Sequence, residues 1–207
     1  IFEPGIALDD TETIILQGAG AKSTIVQADA TPGTASNYVF YVVDGVITLE
    51  DMTIRHGNDP YAGVKNAATL TINDCTICNN TYSESGSDTT YGGGIRNEGT
   101  LTINNSTITN NSTTNIYSAA TLTEALGGGI YSDGPLTISN STVSGNNATS
   151  NNPNVGGLTA ARGGGIYISG NAIVTSITNC TISGNAVSAT ATGVSEQGAG
   201  IYHDSSD

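Results

Sequence analysis

Residues 127–146 read Gly127-Gly-Gly-Ile-Tyr-Ser-Asp-Gly-Pro-Leu-Thr-Ile-Ser-Asn-Ser-Thr-Val-Ser-Gly-Asn146, and this block recurs along the chain. It is equally clear at residues 92–111 and 163–185, with a degenerate copy at 61–80 and another opening at Gly198. Ile95, Ile130, Ile166 and Ile201 head successive copies, 35, 36 and 35 residues apart. A fixed period in this range marks a stacked repeat protein, in which each unit buries its apolar face against the next.

Within residues 100–111, Leu101 and Ile103 alternate with Thr100 and Thr102, the period of a strand with Leu and Ile inward. Asn104-Asn105 then bends the chain, after which Ser106 and Ile108 point in while Thr107 and Thr109 point out. Gly92-Gly93-Gly94 turns the chain where a side chain would clash, and Ile95 opens another short strand. Three short strands separated by bends describe one coil of an all-β parallel β-helix. Six to seven coils at a spacing of about 4.8 Å predict a rod roughly 30 Å long, one domain over residues 1–207.

Stacking sets like residues above one another. Asp74, Asn105, Asn140 and Asn179 fall at one bend, where Asn tolerates the left-handed conformation and stacked amides bond along the axis. They are read as a structural ladder, and Asn80, Asn111, Asn146 and Asn185 as a second one. Cys75 and Cys180 replace the inward Ser106 and Ser141 and lie about 14 Å apart, too far for a disulfide. Cys78 is expected to face outward. The polar stretches 81–91, 112–126, 147–162 and 186–197 are expected to leave the rod at one corner as neighbouring surface loops. Such insertions are where solenoids usually bind.

The net charge is −13, from 18 acids against Lys22, Arg55, Lys65, Arg96 and Arg162. That balance excludes a nucleic-acid binder, which needs a basic face, and disfavours anionic lipid. No apolar run approaches the ~20 residues of a membrane-spanning helix. The chain opens at Ile1 without Met and closes at Asp207 inside a repeat just begun. The expectation is a processed or excised part of a longer secreted or cell-surface protein, or a unit that stacks head to tail on further copies.

Gly127-Gly-Gly-Ile-Tyr131 and Ile138-Ser-Asn-Ser-Thr-Val-Ser-Gly-Asn146 resemble repeats of large bacterial surface proteins with a right-handed parallel β-helix. Pairing a Gly-Gly-x-Ile block with an Ile-x-x-Asn block is also similar to chlamydial polymorphic outer-membrane proteins. Those have Phe where this chain has Ile77, Ile108, Val143 and Ile182. Leu16-Gln-Gly-Ala-Gly-Ala-Lys-Ser-Thr-Ile-Val-Gln27 looks like an early coil of pectin-lyase-like proteins. These resemblances imply the fold; the fold itself hosts lyases, hydrolases, adhesins and inert stalks.

Catalysis in that fold uses outward clusters of acids with Lys or Arg, or paired carboxylates. Glu98 and Asp133 occupy matching positions in adjacent coils, with Ser169 and then Asp204 beyond, while Asp44, Glu50, Asp51, Arg55 and His56 form a second group. Neither carries a catalytic motif of the family. Calcium is possible at Glu98 and Asp133, since adjacent carboxylates repel unless neutralised; two solvated acids are the plainer reading, with no cofactor. The outward column Lys65, Arg96, Tyr131, Tyr167, Tyr202 is the candidate ligand site. Its Tyr rings offer a platform for a sugar or partner, with Arg96 placed for a cation–π contact to Tyr131; the alternative is an aromatic ladder that only covers the rod. Thr76, Thr107, Thr142 and Thr181, beside Cys78, Thr109, Ser144 and Ser183, suggest either β-propensity or an ice-binding lattice. The reading carried forward is a non-enzymatic extracellular β-solenoid: stalk, adhesin segment or filament subunit. Its alternative is a module that binds or cleaves carbohydrate.

Overall fold

The structure is a computed structural model that describes residues 5–58, 63–86, 88–117, 122–153, 157–172, 175–191 and 193–204. The openings of the degenerate copy at Tyr61 and of the tail at Ser205 lie outside these residues. The chain winds through three parallel sheets in turn, and each circuit adds one strand to each sheet. The first face holds Ile6–Leu8, Phe40–Val42, Val64–Asn66, Ile95–Asn97, Ile130–Ser132, Ile166–Ile168 and Ile201–His203. The second holds Thr13–Gln17, Val46–Glu50, Thr69–Asn73, Thr100–Asn104, Leu136–Ser139 and Thr175–Thr178. The third holds Ile25–Gln27, Thr53–Arg55, Thr76–Cys78, Thr107–Thr109, Thr142–Ser144 and Thr181–Ser183. Six coils are complete and the strand at Ile201 opens a seventh.

The core consists of axial columns. Ile47, Leu70, Leu101 and Leu136 form one, Ile54, Ile77, Ile108 and Val143 another, and Val64, Ile95, Ile130 and Ile166 a third; all are fully buried. β-Branched residues dominate because they suit a pleated surface packed on one side. Cys75 lies buried in line with Ser106 and Ser141, whose hydroxyls accept from the backbone N–H of the coil before. Burial pushes the Cys75 thiol up to about 11, so it is inert. All three cysteines are free thiols, and Cys78 lies on the outer side of the third face.

The bend between second and third faces repeats as predicted. Asp74, Asn105, Asn140 and Asn179 have φ of 51°, 49°, 50° and 52°, and Asn179 Nδ2 donates to Asn140 Oδ1 at 2.6 Å. The more complete amide ladder is the second one. Asn80, Asn111, Asn146 and Asn185 stand where the third face ends, with the first three buried. Oδ1 of Asn111 accepts from both the N–H and the Nδ2 of Asn80, and Oδ1 of Asn146 accepts the same pair from Asn111. The second Nδ2 hydrogen of Asn111 goes to Ile77 O, and that of Asn146 to Ile108 O. Every donor and acceptor of the buried Asn111 amide is used, which is what makes its burial tolerable.

The expectation that residues 81–91, 112–126, 147–162 and 186–197 are surface loops is corrected. They do leave at one corner, but as strands. Thr81–Glu84, Ser112–Ile116, Asn147–Asn151 and Ala186–Thr190 form an outgoing four-stranded sheet. Thr89–Tyr91, Leu122–Leu126, Leu158–Arg162 and Gly193–Gln197 form a returning one. The two sheets pack together as a lobe with small side chains between them: Thr113, Thr123, Ala125, Ala148, Ser150, Thr159 and Ala161 are all buried. Asn115 Nδ2 donates to Glu124 O and Ser150 Oγ to Thr123 O across the gap. Stacking, rather than hydrophobicity, organises these polar strands: each backbone row pairs with the next coil.

Where the lobe returns to the first face the chain turns sharply. Gly92, Gly127, Gly163 and Gly198 have φ between 60° and 73°, a region costly for other residues. Two residues on, a Cβ on Gly129 would lie 2.9 Å from Asn146 Cγ. Asn111→Ala should therefore cost about 3–5 kcal/mol, because several buried polar groups lose their partners at once. Asn105→Gly, at an exposed left-handed bend, should be nearly neutral. Urea denaturation of the two variants checks this; equal midpoints would show that the buried ladder contributes nothing special.

Candidate functional site: the aromatic crease beside the lobe

The first face carries an outward column of Ala7, Tyr41, Lys65, Arg96, Tyr131, Tyr167 and Tyr202, in the register expected from sequence for its last five members. It does not lie on an open side of the rod. The returning sheet ends alongside it, and Tyr91, Leu126, Arg162 and Gln197 form a facing column. Each directly precedes a glycine turn, a position visible in the sequence but not singled out by reading it. The Tyr column thus sits in a crease, with Tyr167 only 5% exposed.

Ring geometry limits what the column can bind. Tyr131 and Tyr167 are stacked with centroids 5.4 Å apart and planes within 9°, and Tyr167 stacks on Tyr202 at 5.4 Å and 23°. Tyr91 meets Tyr131 edge to face at 4.7 Å. The flat faces expected to receive a sugar are therefore largely spent on one another. Arg96 lies over Tyr91 at 4.7 Å, a contact not foreseen from sequence, and Arg162 sits over Tyr202 at 5.7 Å. Lys65 lies 4.9 Å from the Tyr41 ring centre. The Tyr91–Tyr131, Arg96–Tyr91 and Arg162–Tyr202 contacts anchor the lobe to the coil by ring packing and cation–π attraction.

The carboxylates of the crease also have protein partners. Glu98 pairs with both Lys65 and Arg96. Glu124 pairs with Arg162, whose Nε donates to Gln197 Oε1 at 3.1 Å. Asp133 Oδ1 accepts from Asn171 Nδ2 at 3.1 Å, and Asp204 Oδ2 accepts from the Tyr167 hydroxyl at 2.9 Å. Glu98 and Asp133 keep their matching positions, but the charge of Glu98 is met by two cations of the protein itself. Among the described residues no group of three His, Cys, Asp or Glu side chains is placed to hold a metal ion. The second acidic group is dispersed. Asp44 caps the Gly45 N–H, Arg55 binds Gln27, and buried His56 bonds Asp29 O through Nδ1 at 2.9 Å.

Burial, with Asp133 and Tyr91 adding to it, pushes the Tyr131 phenol above the ordinary range. Burial and the hydrogen bond to Asp204 do the same for Tyr167. Both phenols are therefore hydrogen-bond donors and poor bases, unsuited to proton abstraction. A folded-state pKa above the unfolded value gives stability that is complete below the unfolded pKa of about 10 and is lost as pH rises towards the folded one. Unfolding midpoints should begin to fall near pH 9, where Cys75 contributes, and fall more steeply beyond about pH 10, and Tyr167→Phe should flatten the steeper part. Chemical denaturation across pH 8–12 tests this, and an equally steep fall in the variant would remove Tyr167 as a source.

No helix in the described residues is long and apolar enough to cross a membrane. No curated protein and no solved structure matches the chain. The family model described as the right handed beta helix region matches residues 5–207. With its coils of three parallel sheets, the chain belongs to the right-handed β-helix family.

Proposed function

We propose that the protein is a non-enzymatic, extracellular structural β-solenoid that acts as a rigid spacer in a stalk, adhesin or filament. The observation that carries this reading is the continuity of its axial ladders. Apolar columns, buried amides and stacked rings pass from coil to coil with their bonding groups satisfied by the coil above and below. The acids of the crease are engaged by other groups of the protein, and Tyr91, Tyr131, Tyr202, Arg96 and Arg162 hold the lobe to the coil. A rod of this kind is lengthened either by further coils of the same chain or by copies stacked end to end. Electron microscopy of the native material at working concentration separates these from isolated short particles. Straight rods and no release of reducing ends from polysaccharides are the expected result. Turnover of a polysaccharide that disappears in the Asp133→Asn, Asp204→Asn double variant would overturn it.

A second reading is supported by the partial exposure of Tyr131 and Tyr202 at the mouth of the crease. There a carbohydrate would be held by ring edges, hydroxyls and the Asp133 and Asp204 carboxylates. Tyr131→Ala with Tyr167→Ala should then abolish retention on a glycan array, and unchanged retention removes this reading.

A further inference from the structure

From Thr76 onward the third face presents only small hydroxyl and thiol side chains to solvent. The chain carries a charge of −13, yet its strands Thr76–Cys78, Thr107–Thr109, Thr142–Ser144 and Thr181–Ser183 contain no charged residue. The neighbouring second-face strands Thr69–Asn73, Thr100–Asn104, Leu136–Ser139 and Thr175–Thr178 contain none either. From Thr76 onward the outward positions of the third face form two columns in strict register: Thr76, Thr107, Thr142, Thr181 and Cys78, Thr109, Ser144, Ser183, with Arg55 of the preceding coil adjoining Cys78 at the edge. Seven of these eight positions carry a hydroxyl, Cys78 being the exception.

We propose that the uncharged part of this face, the four strands from Thr76 to Ser183, is an ice-binding surface, independent of the aromatic crease. Three physical features support it. The first is spacing: hydroxyls repeat at about 4.8 Å along the axis and about 6.8 Å across it, from strand separation and two-residue rise. That rectangular net is close to the spacing of water oxygens on the prism faces of ice. The second is regularity. The bends on one side have φ of 49–52°, and those on the other, at Asn79, Asn110, Gly145 and Gly184, have 54°, 54°, 65° and 62°. Ile77, Ile108 and Val143 beneath the face are fully buried, so the strands are fixed by a packed core.

The third feature is availability. The hydroxyls of Thr76, Thr107, Thr142 and Thr181 make no hydrogen bond to the protein among the described residues, and only Ser144 to Thr109, at 3.3 Å, links members of the array. Each Thr offers water one hydroxyl and one methyl. The methyls favour an ordered first layer, and the hydroxyls anchor it. A charged side chain would impose its own hydration shell, and none interrupts the array. An uncharged face on a strongly acidic protein selects an uncharged partner, and the rigid rectangular net selects a crystalline one.

The test is ice-recrystallisation inhibition, together with partition of the protein into a slowly grown ice crystal. The native chain should inhibit recrystallisation and enter the ice. Thr107→Tyr with Thr142→Tyr keeps strand-compatible residues but destroys the net, and should lose inhibition with an unchanged circular-dichroism melt. Leu122→Ser with Leu158→Ser, on the exposed outer side of the lobe, should inhibit like the native chain. Exclusion of the native chain from ice overturns the proposal whatever the variants do. So does a Thr107, Thr142 variant that inhibits as well as the native chain, or a Leu122, Leu158 variant that loses inhibition equally.

Discussion

The contact between the buried Asn ladder and the glycine turn governs the shape of every lobed coil. At the corner after the third face the chain must leave the core to build the lobe and later return. A plain turn there would close the core with apolar side chains; an exit and a re-entry instead leave backbone groups facing inward. Asn111 and Asn146 seal that gap by bonding to the backbone at Ile77 and Ile108 and to each other along the axis. The amide occupies the space a Cβ would take on the incoming glycine: a Cβ on Gly94 would lie 2.9 Å from Asn111 Cγ, and one on Gly165 2.8 Å from Asn185 Nδ2. Gly-Gly-Gly and Ser-Gly-Asn are therefore two halves of one interaction, and neither is explained without the other. In an earlier coil, where the strand Thr53–Arg55 ends, His56 with φ of 60° holds the corresponding bend.

The legible part of the structure was the part built on side-chain contrast. Leu101, Ile103 and Ile108 alternate with Thr, so strand direction, inward face and coil period could all be read. Left-handed Asn bends were legible for the same reason, since few residues suit them. The lobe was not legible because its interior lacks contrast. Ser112-Thr-Thr-Asn-Ile116 and Asn147-Ala-Thr-Ser-Asn151 place Thr113, Asn115, Ala148 and Ser150 inward, and no apolar period marks them. What fixes those strands is the coil above and below, a constraint that a single strand's sequence does not carry. The Tyr column was found at the right positions but not its setting, since the facing Tyr91 and Arg162 arrive from the unrecognised returning strands.

Axial stacking also decides how charge is distributed. A like charge in successive coils meets its copy about 4.8 Å away, a costly arrangement. Lys65 and Arg96 are such neighbours. They coexist because Glu98 bridges both, and because Tyr41 and Tyr91 offer ring faces to them. Beyond Arg96 the column turns to tyrosine, which stacks on itself favourably and needs no counter-ion.

The same rule leaves neutral hydroxyls as the residues a long parallel face can repeat without penalty. Thr and Ser satisfy the demands of strand geometry, tolerate their own copies above and below, and present polar groups to water. Where the rod must hold a lobe, charge and aromatic rings gather in the crease and neutralise one another. Where it has only to face solvent, on the second and third faces of the later coils, repetition removes charge and leaves a flat hydroxyl net. One molecule thus carries a bonded interior seam on its lobed side and a regular, sparsely bonded lattice on a bare one. A neutral partner recognising periodicity would find it on the third face, where the hydroxyls of Thr76, Thr107, Thr142 and Thr181 make no bond to the protein among the described residues.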